Sequence, residues 1–526
     1  MMLLLLVILL ILIIIGHLLT TLVPAYYYWK IRGVPHVSLL TVLKRMIMKD
    51  KPYFDLVISD HNKFAGKRYY GSYMSVMPAL FIRDLDLIKK ILIKDFEHFT
   101  NRLDILNASS DPIFRNNLLV AKGKKWKALR STISPVFTTA KMKAMYVLIA
   151  EEAKKFVVYY NSMNQDEIEV EMKEMYSKFT NDVIASCSFG VQIDSLKDPK
   201  NDMFLAGKVI TQTTPFNVAW ILISMLFPKL LKYLKVNIFP TQITQYFKNM
   251  ISATIRSREE GKITRPDLIQ LLVEAKKGKL KRENTPQAEE TGFATVREST
   301  DLQVDSSLEI TDEIIVAQAI IFFLAGFEAS SSLLSCLSYE LALNPRIQQK
   351  LIEEIDEHLA SSDIITYEMI TKMKYLDQVV SEALRKWPTA FLQLRICTKD
   401  YVIEPEEELE VPLKVSKGSL VVIPIIGTHY DERYFENPDA FIPERFSDGE
   451  NIVPQSFAPF GIGPRNCVGS RFALLEIKCI LANILSKFEM QITKKTNIPF
   501  KKLNTIPFAI DGGITLALKK RKNTSL

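Results

Sequence analysis

One cysteine, Cys467, follows a glycine-rich stretch and precedes a long amphipathic run, and this arrangement constrains the fold more than any other feature of the chain. Residues 460–469 read FGIGPRNCVG, and the amphipathic run extends from Arg471 to Phe488. Two glycines and a proline predict an irregular loop, because glycine tolerates positive φ and proline lacks a backbone N–H group. We expect this loop to end at a helix N-terminus, where the helix dipole and free N–H groups favour a thiolate at Cys467.

The chemistry of Cys467 allows four interpretations. It is a buried structural thiol, as an isolated cysteine commonly is, or a thiol nucleophile with a histidine partner such as His429. A zinc site requires clustered cysteine or histidine ligands, and none lies within ten residues of Cys467. A single thiolate that holds a haem iron needs no second protein ligand.

The Phe-Gly-x-Gly-x-Arg-x-Cys-x-Gly spacing of this loop resembles the haem-binding loop of the cytochrome P-450 monooxygenases. Four further motifs of the same family occur in the family's order, and the resemblance covers nearly all of the chain. It implies that Cys467 binds the iron of haem b. It also implies that the loop contacts the haem through Phe460, Gly461, Gly463, Arg465 and Gly469.

Trp126 and Arg130 lie four residues apart and therefore share one face of a predicted helix. A solvated basic helix with one half-buried tryptophan is the alternative. Residues 134–138, SPVFT, strengthen the resemblance to the family's C helix. The resemblance implies that Trp126, Arg130 and Arg395 bind the haem propionates, since carboxylates inside a protein need charged or N–H donors.

A long apolar helix is predicted to start at Thr311 or Asp312, either of which can cap it, and to end near Leu343. Its residues 325–330, AGFEAS, resemble the family's oxygen-binding I helix, with alanine where the family usually has threonine. A glycine inside a helix costs about 1 kcal/mol relative to alanine, so we expect it to make room for a ligand. The implied catalytic residues are Ala325, Gly326, Glu328, Ala329 and Ser330.

Two further motifs predict a buried charge network that supports the cysteine loop. Glu382 and Arg385 form a Glu-x-x-Arg pair, which alone is weak evidence because exposed pairs of this spacing are common. Residues 441–446, FIPERF, resemble a family loop whose arginine, Arg445, joins that pair. Such a network is stable only if every charge in it is paired.

The substrate pocket is expected to be apolar. The resemblance places in it Leu119, Ala390, Phe391, Leu394 and Ile510, the last at the tip of a C-terminal hairpin interrupted by Gly512 and Gly513. Residues 216–240 are rich in large apolar side chains and are either a core helix or the family's membrane-dipping pocket roof. Both alternatives predict apolar substrates rather than sugars or phosphates.

Residues 1–23 are almost wholly apolar and reach about 34 Å as a helix, enough to cross a bilayer core. No Lys or Arg precedes the run, which argues against a cleaved signal peptide, the alternative. Residues 26–29, YYYW, predict an interfacial aromatic belt, and Lys30 and Arg32 place the body in the cytosol. We therefore divide the chain into a transmembrane anchor at 1–24 and a haem-thiolate catalytic domain at 25–526, on the endoplasmic reticulum membrane.

Composition limits the remaining possibilities. The chain has 526 residues, of which 48% are hydrophobic, and its net charge of +8 is spread without a nucleic-acid-binding stripe. Its five cysteines are widely spaced and odd in number, which does not indicate a disulfide framework. Residues 276–309 are charged and rich in Ser and Thr, and we expect a solvated, mobile loop without function there.

The predicted fold is mainly α with a small β-rich lobe (α+β), the cytochrome P-450 fold behind one anchor helix. A hairpin is predicted at residues 69–83, interrupted by Gly71 and Pro78. The chain looks most like insect microsomal, xenobiotic-metabolising members, through residues 181–190 and 395–401. This likeness implies partners for the chain, namely an NADPH-cytochrome P-450 reductase, cytochrome b5, membrane lipid and a hydrophobic substrate. The alternatives are a reductase-independent isomerase or dehydratase and a non-catalytic haem or hydrophobe carrier.

Overall fold

A computed structural model describes most of the chain. The described residues are 2–49, 51–103, 115–211, 240–261, 263–278, 292–296, 309–360, 362, 364–406, 410–447, 452–505 and 508–522. In the first helix the side chains of residues 2–15 and 17 lie outside the described part, and so do residues 216–239 of the apolar stretch predicted above.

Helices form most of the described structure. They are α1 (Met2–Ile31), α2 (Leu39–Met48), α3 (Tyr53–Lys63), α4 (Leu85–Lys89), α5 (Gly123–Ile133), α6 (Thr139–Asn161), α7 (Met172–Ile184), α8 (Asp202–Thr211), α9 (Thr241–Glu259), α10 (Leu268–Lys276), α11 (Asp312–Leu343), α12 (Pro345–Leu359), α13 (Tyr367–Lys372), α14 (Lys374–Lys386), α15 (Ile425–His429) and α16 (Ser470–Leu485). A π-helical turn, Lys90–Lys94, extends α4, and 3-10 turns lie at Ser134–Phe137 and Pro443–Phe446.

The strands are short and form small sheets. They are β1 (Tyr69–Met74), β2 (Met77–Ile82), β3 (Glu167–Glu171), β4 (Gln393–Ile396), β5 (Tyr401–Ile403), β6 (Leu413–Val415), β7 (Leu420–Ile423), β8 (Phe488–Ile492), β9 (Lys501–Lys502), β10 (Ile510–Asp511) and β11 (Thr515–Lys520). A mainly α body with a small β-rich lobe is therefore confirmed.

The largest sheet has the strand order β1-β2-β7-β4. The hairpin predicted at 69–83 is present as β1 and β2, which pair antiparallel, and β7 joins β2 in parallel. The expected interruption is wrong, because Gly71 and Pro78 both lie inside strands and the reversal falls at residues 75–76. Gly71 is needed there for a different reason: a Cβ atom at this position would lie 2.4 Å from the Trp29 ring.

The predicted C-terminal hairpin is wrong. Strand β10 pairs with β9, whereas β11 lies between β3 and β8 in a three-stranded sheet. Gly512 and Gly513 have φ values of 72° and 70°, which only glycine adopts readily, and they redirect the chain from one sheet to the other. The Ile514 N–H then donates to Glu171 Oε1 at 3.0 Å and starts the new pairing.

Helix α11 runs through the core. Its cap is Thr311, whose side chain accepts from the Ile314 N–H as predicted. Of the described residues, this helix is the one stretch long and apolar enough to cross a membrane by length and composition. In its most apolar window 61% of the residues are buried inside the protein, as expected of a core helix.

Helix α1 continues past Pro24 and packs on the first sheet. Ala25 and Trp29 are buried, the Trp29 indole N–H donates to Ser72 O at 3.0 Å, and the Tyr73 hydroxyl donates to Ala25 O at 2.8 Å. Trp29 is therefore part of the protein core, and the predicted aromatic belt at 26–29 is wrong at this position. Helical periodicity turns Trp29 toward the sheet, while Tyr27 on another face is exposed.

Candidate active site

The cysteine loop has the irregular geometry that its glycines predicted. Gly461 and Gly463 have φ values of 79° and 80°, and the Cys467 N–H donates to Phe460 O at 2.8 Å. A Cβ atom on Gly463 would lie 2.1 Å from Leu92 O, so this glycine lets the loop approach the turn after α4 rather than a ligand. The Gln393 side chain donates to Ile462 O at 2.9 Å and accepts from the Ile462 N–H at 3.1 Å.

The Cys467 side chain retains solvent-accessible surface, although many protein atoms lie around its thiol. Burial raises the pKa of its thiol, against the Gly469 backbone N–H and the Arg130 and Arg102 charges, which lower it. The helix terminus favours the thiolate as predicted, through the Gly469 N–H, but desolvation outweighs the nearby donors. A cation bound to the sulfur would stabilise the thiolate.

The thiol nucleophile interpretation fails on His429. Its Nδ1 atom lies 2.9 Å from Arg385 O, and its Nε2 atom accepts from the Ala458 N–H at 3.0 Å. Burial lowers the pKa of His429 to about 3, so the ring is neutral and donates from Nδ1. Both ring nitrogens are engaged by backbone, and neither can serve Cys467 as a base.

Four arginines converge beside the cysteine loop. Arg130 extends from α5 to Asn466, donating to its backbone O at 2.9 Å and to its Oδ1 at 2.7 Å. Arg102 donates to Arg465 O at 2.7 Å, and Arg465 donates to the carbonyls of residues 119 and 121. Arg395, on β4, completes the cluster, since its charge and that of Arg102 are felt at Arg465.

The charges of this cluster are unbalanced within the described residues. Burial lowers the pKa of Arg102 to about 10 and that of Arg395 well below its usual range. The pKa of Arg465 falls to about 8, first through burial and then through its guanidinium neighbours. Among the described residues no carboxylate pairs with Arg102, Arg395 or Arg465, and buried Nε and Nη2 of Arg395 have no hydrogen-bond partner there. Such a cluster fits a ligand with two negative charges.

Trp126 lies at the same cluster. It is buried on α5, the Arg465 guanidinium carbon lies 4.3 Å from its ring centroid, and Phe96 packs edge-on at 5.6 Å. The shared helical face of Trp126 and Arg130 thus points inward, and the alternative of a solvated basic helix is wrong for these two residues. Leu119, one of the predicted pocket residues, lies close by through its carbonyl.

Helix α11 meets α7 at Gly326. A Cβ atom there would lie 2.8 Å from Cδ1 of Ile184, so the glycine makes room for α7 and the expected ligand is not its reason. The Phe327 carbonyl accepts from the Thr180 hydroxyl at 3.1 Å, which joins α7 to α11, and from the Ser331 hydroxyl at 2.6 Å within α11 itself.

The other predicted catalytic residues of α11 lie on different faces of the helix. Ala325 and Ala329 are exposed and, four residues apart, share one face. Glu328 turns toward α7, where Lys173 Nζ lies 2.9 Å from its Oε1, and Lys173 also donates to Ser331 Oγ at 2.7 Å. The Glu328 carboxylate is thus held in an ion pair.

Ser330 is buried and faces α16. It lies near Glu476, a carboxyl group with no exposed surface whose two oxygens have no hydrogen-bond partner among the described residues, and burial raises the pKa of Glu476 to about 8. Glu476 is therefore a neutral acid at pH 7. Sequence reasoning missed it, because one glutamate in an amphipathic helix does not stand out.

Glu382, Arg385 and Arg445 lie together, as the predicted charge network requires. Arg385 binds Glu382 with Nε–Oε2 at 2.7 Å and Nη2–Oε1 at 2.8 Å, and both side chains are fully buried. Arg445 Nε lies 3.4 Å from Glu382 Oε1, and its Nη2 donates to Asn437 O. Arg385 also donates to three backbone carbonyls, of residues 429, 438 and 440, so the arginine is multiply bonded as such a network requires.

The remaining predicted pocket residues occupy different environments. Phe391 is fully buried against Phe54, with ring centroids 5.5 Å apart, so it is a core residue. Ala390 is exposed, and Leu394 and Ile510 are half-buried.

Arg102 and Lys173 were also missed. Each belongs to the site through contacts with residues far along the chain, and neither lies in a motif. The described residues contain no group of three His, Cys, Asp or Glu that could hold a metal ion.

Comparisons with known proteins identify the family to which the chain belongs. A family model described as Cytochrome P450 matches residues 49–511. The chain is 38% identical to cytochrome P450 9e2 of Blattella germanica, over 94% of this chain and 93% of the relative. It is 38% identical to probable cytochrome P450 9f2 of Drosophila melanogaster, over 94% and 95%. It is 34% identical to cytochrome P450 6a2 of the same species, over 94% and 96%.

Proposed function

Since the chain belongs to the cytochrome P450 family of haem-dependent monooxygenases, we propose that it oxidises an apolar small molecule with electrons from an NADPH-dependent reductase. One oxygen atom of O2 enters the substrate and the other leaves as water. The substrate class proposed is a xenobiotic, which the resemblance of residues 181–190 and 395–401 to insect members implies.

The observation that carries the proposal is the convergence of an accessible thiol in buried surroundings with unbalanced arginines. Haem b has one iron and two propionates, and the donor set fits both. Cys467 would bind the iron, and metal binding would release the proton that burial otherwise keeps on the thiol. Trp126, Arg102, Arg130, Arg395 and Arg465 would hold the propionates.

When bound, the haem supplies the oxidative chemistry, which thiolate ligation promotes. The protein supplies position and proton access. Ala325 and Ala329 line one exposed helical face with methyl groups, which excludes side-chain hydrogen bonding at that face. Proton delivery therefore falls to ordered water or to a hydroxyl group of the substrate.

The cellular setting is part of the proposal. Helix α1 spans 30 residues, about 45 Å, which is long enough for an anchor in the endoplasmic reticulum membrane. The catalytic domain would face the cytosol, in reach of the reductase, cytochrome b5 and substrate dissolved in lipid. The apolar first 23 residues and the cationic side chains that follow support this orientation.

One observation favours a reductase-independent isomerase or dehydratase as second candidate. Ala329 has no hydroxyl, and Glu328 is held by Lys173 at 2.9 Å, so neither side chain offers a free proton donor for oxygen cleavage. An enzyme that rearranges a peroxide needs no such donor.

The test combines a spectrum with turnover. The reduced carbon monoxide complex of purified protein should show the thiolate Soret band, and Cys467→Ser should abolish it because an alcohol ligates iron poorly. Product formation from a panel of apolar compounds should require reductase, NADPH and O2 together. Turnover with peroxides alone would favour the second candidate, and an unchanged band in Cys467→Ser would remove Cys467 as iron ligand.

A further inference from the structure

A five-residue segment of the connection between α10 and α11 packs on the protein body. The segment, residues 292–296, is called the clip below. Phe293 packs between Phe446 and Phe457, with ring centroids 5.2 Å and 5.7 Å away, and Ala294 is buried. The prediction of a solvated loop without function across 276–309 is therefore wrong for the clip, since one phenylalanine supplies the apolar contact that composition concealed.

The backbone of the clip is also held. The Phe293 N–H donates to Asp377 Oδ2 at 2.8 Å, and Asp377 Oδ1 pairs with Lys478 Nζ at 2.7 Å. Lys478 is buried on α16, so the clip completes a charged contact inside the protein.

Gly292 is required at the start of the clip. Its φ is 145°, and a Cβ atom would lie 2.0 Å from Asp377 Oδ1 and 2.7 Å from Lys478 Nζ. The Thr295 N–H donates to Gly292 O at 3.0 Å and closes a turn. The backbone conformation of Gly292, the Asp377–Lys478 ion pair and the ring contacts of Phe293 thus all favour the same position of the clip on the protein body.

The clip contacts the start of the cysteine loop. Phe457 stacks on His429 at 5.5 Å, and the next residue, Ala458, donates its N–H to His429 Nε2 at 3.0 Å. Ala458 O accepts from the Gly461 N–H at 2.9 Å. Phe293 therefore contacts Phe457, in the segment that immediately precedes the cysteine loop.

We infer that the clip is a positioning element, which holds the start of the cysteine loop through Phe457 and so keeps Cys467 directed at the iron. The inference rests on the proposed haem-thiolate function. Phe293 and Gly292 are its positioning residues, and they act through Phe457 and Asp377.

The test uses the full-length holoprotein and four variants. Phe293→Ala removes the aromatic contact, Gly292→Ala blocks docking of the backbone, and Phe293→Leu retains an apolar group. Phe156→Ala is the matched control, because Phe156 is a buried ring of α6 that packs on Tyr160 and Phe179 away from the loop. Tryptic cleavage after Arg297, next to the clip, reports its release independently of the haem.

Trypsin should cleave the Phe293→Ala and Gly292→Ala variants faster than the wild type. In both variants part of the reduced carbon monoxide spectrum should shift from the thiolate band to a band without thiolate ligation. Phe293→Leu should largely restore the thiolate band. Phe156→Ala should lower the denaturation midpoint without this shift. A wild-type spectrum in variants whose clip is released would overturn the inference alone, whereas a wild-type protein without the thiolate band would overturn the proposed function and this inference with it.

Discussion

Individual guanidinium groups determine the character of the candidate site. Arg102, Arg130, Arg395 and Arg465 come from four separate parts of the chain and meet in surroundings that lower the pKa of three of them. Burying like charges together is unfavourable unless an anion joins them. At the scale of residues, these buried charges support the proposal that the site binds an anion beside Cys467.

Arg102→Ala should accelerate haem loss. A charge-assisted hydrogen bond contributes about 1.5–3 kcal/mol, which corresponds to roughly a ten- to hundred-fold faster dissociation. Transfer of haem to an excess of apomyoglobin measures the rate. Lys127→Ala is the control, since Lys127 is a cation of α5 that pairs at the surface with Glu97. Equal rates in the two variants would remove Arg102 from the propionate-binding set.

Ala329→Thr should raise the amount of product formed per NADPH oxidised when the substrate has no hydroxyl group. Threonine would place a proton donor on the exposed face that Ala325 and Ala329 form. Substrates that carry a well-placed hydroxyl should respond little and serve as the control. If the wild type is already tightly coupled on substrates without a hydroxyl, the alanine has no mechanistic consequence.

Helices meet where small side chains and hydroxyl groups allow close approach. Helices α7 and α11 touch at Gly326, and hydroxyls of Thr180 and Ser331 share the Phe327 carbonyl. The same rule applies where Trp29 of α1 covers Gly71. At the scale of elements, the two glycines set the distance between neighbouring segments, and their purpose is packing.

The effect of Gly326→Ala on the free energy of unfolding should depend on the side chain of Ile184. Alanine gains about 1 kcal/mol of helix propensity but meets Cδ1 of Ile184, which must move. Ile184→Val removes that atom, so Gly326→Ala should stabilise the Ile184→Val variant more than the wild type, by the overpacking cost at Cδ1 of about 1–3 kcal/mol. Urea unfolding of the wild type, the two single variants and the double variant gives the coupling energy. Additive effects would mean that the two side chains do not meet.

Buried titratable groups link the stability of the whole molecule to pH in opposite directions. The pKa of His429 is lowered to about 3, so its contribution is lost as pH falls from the ordinary histidine pKa of about 6.5 toward 3. The pKa of Glu476 is raised to about 8, so the folded protein holds a proton that the unfolded chain releases above its ordinary pKa of about 4.3. Stability from Glu476 is therefore lost as pH rises through 8.

Glu476→Gln should flatten the loss of stability between about pH 4.3 and 8, because glutamine keeps the shape and cannot ionise. The slope removed is at most about 1.4 kcal/mol per pH unit. Denaturation midpoints across this range measure it, with Glu357→Gln, at an exposed position of α12, as control. Parallel pH profiles of Glu476→Gln and the wild type would show that Glu476 is ionised in the folded protein.

Local patterns determined the parts of this protein whose cause is local. The cysteine loop followed by a helix, the helix start at Thr311 or Asp312, and the shared face of Trp126 and Arg130 all follow from spacings of ten residues or fewer. Periodicity and capping act over one or two turns, so they can be found in a single sequence.

Tertiary structure alone decided the contacts that join distant segments. Arg130 and Asn466 are 336 residues apart, and only the fold brings Arg102 beside Arg465 or Phe293 beside Phe457. It also showed that Gly326 accommodates Ile184, that Trp29 is core, and that β10 and β11 belong to different sheets. The physical reason is that burial depends on which surfaces meet, and the pattern of one segment does not name its partner.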